Sequence, residues 1–236
     1  NNKLILAKAN GVLDKENQFS YSYRTTSKNE KITVSITPYN LRNDKLLSFL
    51  PLSGISNSKT ILCNELGYYS IINTDQYGFN NPINEWDKKN VYAMLVGDSF
   101  VHGSCVNPPN DIGGVIRNNV SNSRAVLNLG QAGNAPLTQY ATLREYLNND
   151  RKVEKVVWFH YEANDLYHDF QEELDNKILQ KYLTDENFTQ NLMNRQNESD
   201  ILLNQKLDQV LKKDKNRPDI EKKIFLINFI KLNELR

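Results

Sequence analysis

A layered α/β fold on a parallel sheet, preceded by a β-rich segment, is what this sequence predicts, and three observations carry the reading. From residue 91 onward, near-continuous apolar runs alternate with stretches of helical period. Before that point the apolar residues alternate in β fashion. Three such apolar runs, separated by helical segments, imply parallel crossovers and therefore a sheet covered on both faces.

The β-rich segment opens with Phe19-Ser20-Tyr21-Ser22-Tyr23 and Ile32-Thr33-Val34-Ser35-Ile36, joined by the polar turn Ser27-Lys28-Asn29-Glu30, which predicts a hairpin. A further short strand is expected over Tyr68 to Ile72. The turn-rich stretch Asn73 to Pro82 follows it, so residues 1–90 read as an N-terminal β-rich appendage. Residues 91–236 read as the α/β domain. Within it, Val91-Tyr92-Ala93-Met94-Leu95-Val96 predicts a central strand, Ala125-Val126-Leu127 a second, and Val153 to Phe159 a third. Between them, Ile112, Val115 and Ile116 recur at helical spacing after Asp111, a candidate N-cap. Leu137, Tyr140, Leu143 and Leu147 form one face of a helix with Pro136 in its first turn. Past Asp165 the pattern is helical and polar, with Ile201, Leu203, Leu207, Val210 and Leu211 as an apolar stripe and a break at Arg217-Pro218. Three strands make a small sheet, and the last helix is expected to lead into a fourth.

Composition narrows the partners. The 29 lysines and arginines nearly balance the 28 aspartates and glutamates, which removes the simplest argument for a nucleic acid or an anionic membrane surface as partner. No window approaches the ~18 consecutive apolar residues of a membrane span, and residues Asn1 to Ala9 lack the basic start of a signal peptide. The two cysteines, Cys63 and Cys105, have no Cys-x-x-Cys partner and no paired histidines, so no zinc ligand set is present. They read as two packed thiols, with a single disulfide as the other reading.

In an open parallel sheet, ligands bind at the carboxyl ends of the strands. The residues just after the three apolar runs are Gly97-Asp98-Ser99-Phe100-Val101-His102-Gly103, Asn128-Leu129-Gly130-Gln131-Ala132-Gly133-Asn134, and Glu162-Ala163-Asn164-Asp165. A serine, a glycine-rich turn and an asparagine thus converge on one edge. Together they suit acyl transfer, in which a serine hydroxyl attacks an ester carbonyl. The oxyanion that develops needs donors such as the serine N–H, a closely approaching glycine N–H and an asparagine amide.

Gly97-Asp98-Ser99, Gly133 and Asn164-Asp165, in that order and each after its own strand, resemble the first three blocks of the SGNH (GDSL-like) hydrolases over roughly residues 75 to 166. The resemblance implies a flavodoxin-like three-layer sandwich and a bacterial esterase, deacetylase or O-acetyl transfer activity on an acylated glycan or lipid. It assigns Ser99 as nucleophile and Gly133 and Asn164 to the oxyanion hole, with no cofactor and no metal. Glu162 stands where the third block commonly has glycine. The loop around Gly130 lacks the Gly-x-Gly-x-x-Gly spacing of a nucleotide cradle.

The family also implies an Asp-x-x-His block near the C-terminus, and residues 169–236 contain no histidine. The α/β domain therefore reads as incomplete at its C-terminal end. The three histidines are His102, His160 and His168. His102 and His160 read as packed or edge residues. Asp165-Leu166-Tyr167-His168 spells Asp-x-x-His, which makes His168 a candidate general base and Asp165 its candidate orienter, in the wrong place for the family order. The alternative to an enzyme is a non-catalytic carbohydrate-binding or scaffold module that keeps the pocket.

Overall fold

The computed structural model describes residues 32–63, 68–147, 150–165 and 168–215; the side chains of residues 163, 164, 168, 169 and 213–215 lie outside that description. The strand expected at Phe19 to Tyr23 and the break at Arg217-Pro218 fall outside it too.

Two sheets form. In the first, β1 (Ile32–Val34) pairs in parallel with β2 (Lys59–Cys63), which pairs antiparallel with β3 (Ser70–Asn73). The sequence reading missed β2, because Lys59-Thr60-Ile61-Leu62-Cys63 has only a weak alternation. Ile61 on this strand is nonetheless wholly buried.

The second sheet is parallel. Its centre is β4 (Asn90–Val96), flanked on one side by β5 (Arg124–Asn128) and on the other by the short β6 (Lys152–Val153) and β7 (Val156–Trp158). The third apolar run is thus broken into two strands. Helices cover both faces. Met94, Val96, Ala125 and Leu127 face one core, while Ala93, Leu95 and Val126 face the other. Val91 lies on the same side as Met94 because the register shifts between Val91 and Ala93, the local effect of a bulge. The two-sided burial explains why these strands read as continuous apolar runs.

Among the described residues the α-helices all follow β4, in the order α1 (Ser99–His102), α2 (Ile112–Asn118), α3 (Pro136–Tyr146), α4 (Glu162–Asp165), α5 (His168–Leu174) and α6 (Lys177–Thr184). The last, α7, spans Gln196–Lys215. Asp111 caps α2 through the Gly114 N–H at 3.0 Å, and Pro136 opens α3, both as the sequence indicates. On α7, Leu203 and Leu207 are buried, whereas Ile201 is exposed.

α3 has Ala135 at its N-cap and no side-chain cap of its own. The orphan amides are satisfied from α5 instead. Glu173, which is wholly buried, accepts from Ala135 N–H at 2.8 Å, Leu137 N–H at 3.0 Å and Thr138 N–H at 2.9 Å. Burial pushes its carboxyl above the usual range, against the pull of those donors and of Arg42.

Asp75 organises the segment before β4. Its two oxygens accept from Tyr77 N–H, Phe79 N–H, the Asn81 amide at 2.8 Å and the Trp86 indole at 2.6 Å. Asn81 in turn pairs with the backbone of Asn128 through both of its amide atoms, which ties the turn to the carboxyl end of β5. Gly78, at φ +84°, is required here. A Cβ on it would fall 1.9 Å from the Gly54 carbonyl oxygen. Residues before 90 also enter the main core, where Val34, Ile36, Leu50 and Leu52 pack in one cluster with Met94, Leu127 and Tyr146.

The cysteines are joined. Cys63 at the end of β2 and Cys105 just past α1 form a disulfide, with Cα atoms 5.1 Å apart. This corrects the reading of two packed thiols. The pairing depends on β3 and the loop after α1 meeting, where Ser70 and Tyr68 hydroxyls bond the carbonyls of Val106 and Cys105, a proximity no spacing encodes.

Candidate functional site

Ser99 is the first residue of α1, immediately beyond the carboxyl end of β4. Its N–H has no acceptor within the helix, as at any helix start. Asp98 caps the turn by accepting from Phe100 N–H at 3.0 Å, and Gly103, at φ +83°, ends it one turn later. Ser99 is partly exposed, and its Oγ bonds to none of the described residues. The turn sits tightly on the sheet because Gly97 lacks a side chain. A Cβ there would lie 2.5 Å from Val101 Cγ2 and 3.2 Å from Phe159 Cβ.

The loop after β5 docks on this same turn. Gly130 packs against α1 so closely that a Cβ would fall 2.5 Å from His102 N. Asn128 donates its amide to Val101 O at 2.6 Å and accepts Gly130 N–H at 2.9 Å. Gln131 N–H reaches Gly97 O at 3.3 Å, and Ala132 N–H donates to His102 Nδ1 at 3.2 Å. His102 is therefore a neutral imidazole with its Nδ1 lone pair in use. Burial pushes it down to about 4, in keeping with a packed residue.

Gly133 follows at φ +80°. Tyr39 lies over it, within 2.8 Å of where a Cβ would be. Arg42 donates to Gly133 O at 3.0 Å and Thr37 to Ala132 O at 2.9 Å, so both carbonyls are occupied from the N-terminal segment. The Gly133 N–H has no acceptor among the described residues. A cavity of about 400 Å³ opens here, lined by Thr37, Tyr39, His102, Ser104, Ala132 and Gly133, but not by Ser99.

Asn164 lies in α4, the short helix that follows β7 at the same edge; its side chain is outside the described residues. Asp165 is buried, and its Oδ2 accepts from Tyr161 N–H at 2.9 Å and lies 3.1 Å from His160 Nδ1. Among the described side chains the carboxylate thus has a histidine partner, His160. His168 opens α5, its side chain likewise outside the described residues. The backbone therefore brings Ser99, Gly133 and Asn164 to one edge of the parallel sheet, as the chain order of the strands requires.

No family model matches this chain, and no curated protein or solved structure does. Sequence reasoning had missed Thr37, Tyr39 and Arg42 as the residues that hold the Gly133 loop. No signal in the sequence marks them, because they act from about 90 residues away. Among the described residues no group of three or more His, Cys, Asp or Glu is placed to hold a metal ion, and no helix is long and apolar enough to cross a membrane. A groove of about 860 Å³ lies elsewhere. Lys88 and Arg124 line it, at the amino ends of β4 and β5.

Proposed function

We propose that this chain is a serine-dependent acyl-ester hydrolase or O-acyltransferase of the SGNH type, with a flavodoxin-like α/β domain and an acylated glycan or lipid as substrate. The observation that carries the reading is that a serine at a helix start and a loop with an unused amide donor follow neighbouring parallel strands at one sheet edge. Ser99 sits at a helix start, and the Gly133 N–H, without an acceptor among the described residues, belongs to the loop docked on that same helical turn. A carbonyl oxygen bound there meets backbone donors held by packing, which stabilise negative charge without reorganising, and losing one such donor typically costs ~10²–10³-fold in rate. Asn164 supplies a third donor in this reading.

Incubation with p-nitrophenyl acetate tests it. An acetyl group on Ser99, found by intact mass and peptide mapping and absent from Ser99→Ala, is the expected result. A chain that binds acylated oligosaccharide equally well with and without Ser99, and never carries the acetyl group, would instead be the binding module.

A further inference from the structure

β4 and β7 run in parallel register with Val96 opposite Trp158, and past the last pair Phe159 N–H donates to Val96 O at 2.8 Å. Gly97 lets Phe159 approach, since a Cβ on it would stand 3.2 Å from both Phe159 Cβ and Phe159 O. Slightly further on, the Phe100 and Tyr161 rings meet edge to face with centroids 5.1 Å apart. The two chain segments therefore stay side by side from Val96 and Trp158 to Phe100 and Tyr161. Ser99 and His160 both lie inside that window.

His160 is held for work at one nitrogen. Its Nδ1 lies 3.1 Å from the buried Asp165 carboxylate, and 37% of its side chain is exposed. Its Nε2 has no partner among the described residues. His102 cannot serve in its place, because its Nδ1 already accepts from Ala132 and the ring is buried.

We infer, on the serine reading above, that His160 is the general base for Ser99 and that Asp165 is its positioning residue. The Ser99 hydroxyl proton passes to His160 Nε2 as the Oγ–carbon bond to the ester carbonyl forms and the carbonyl oxygen takes the negative charge. When the tetrahedral species collapses, the ester carbon–oxygen bond breaks and the imidazolium returns the proton to the leaving alkoxide. Water or an acceptor hydroxyl then removes the acyl group by the same steps in reverse. Asp165 accepts the Nδ1–H, fixes the tautomer and stabilises the imidazolium without taking the proton. The order along the chain is Ser99, His160, Asp165. On this inference acylation needs no Asp-x-x-His block.

The test uses the 236-residue chain and p-nitrophenyl acetate, reading acetyl-Ser99 formation by mass. His160→Ala should slow acylation by ~10²–10⁴-fold, and added imidazole should restore part of the rate, which a purely structural role would not allow. Asp165→Asn should slow it less. His160→Gln replaces the alanine variant if that variant fails to melt cooperatively. Acylation of His160→Ala at the parent rate, with Ser99→Ala inert, overturns the assignment of His160 and leaves the serine reading standing. A parent chain that acylates only when imidazole is added overturns the same assignment. A parent chain inert under both conditions overturns both.

Discussion

The Nδ1 of His102 accepts a hydrogen bond from the backbone N–H of Ala132 at 3.2 Å, so a buried neutral imidazole fastens the Gly133 loop to the turn that begins with Ser99. The histidine nearest the serine in sequence is a positioning residue, and its protonation would break the contact.

That contact predicts a pH dependence. Burial lowers the His102 pKa from 6.5 to about 4, so between those values the unfolded chain binds a proton that the folded chain does not. Stability is therefore full above pH 6.5 and falls as pH drops toward 4, by about 3 kcal/mol for this one group. Urea unfolding across that range should show the slope, and His102→Gln should flatten it.

Gly133→Ala should damage both fold and site. The residue is at φ +80°, where a side chain costs ~1–2 kcal/mol, and its Cβ would strike Tyr39 at 2.8 Å. Thermal melting should report a loss of at least that size. Tyr39→Gly in the same chain should recover the contact part and leave the backbone part.

The Cys63–Cys105 disulfide spans a sequence separation of 42 residues. By loop-closure entropy, replacing both cysteines with serine should cost about 4 kcal/mol. In a chain of this size that lowers the melting temperature by roughly 10 °C. The parent protein should show the same drop under reductant, and the double variant should show none. Unchanged melting in dithiothreitol would argue against the bond.

Asp75→Ala should be among the most damaging single changes outside the serine edge. It strands the Trp86 indole and two backbone N–H groups in a buried turn and leaves the Asn81 amide only its bond to the Asn128 carbonyl. Each unsatisfied donor costs ~1–3 kcal/mol. Asp75→Asn keeps part of the network and should lie between the two in chemical denaturation.

Much of this protein was determined by its sequence alone. The apolar runs at Val91 and Ala125 became β4 and β5, Asp111 became a cap and Pro136 a helix start, because burial period and capping are properties of neighbouring residues. That Ser99, Gly133 and Asn164 would each follow a strand of one parallel sheet was legible for the same reason, since parallel strands deliver their ends to one edge. Only the tertiary structure decided the rest. It set the parallel pairing of β1 with β2, the break between β6 and β7, and the disulfide. It also chose Glu173 as the cap of α3, Tyr39 and Arg42 as the cover of Gly133, and His160 as the partner of Asp165. Most of these join groups far apart in the chain, and none has a local pattern to announce it. Their geometry comes from two sheets packing on a shared core, which selects partners by fit and by the need to satisfy buried polar groups.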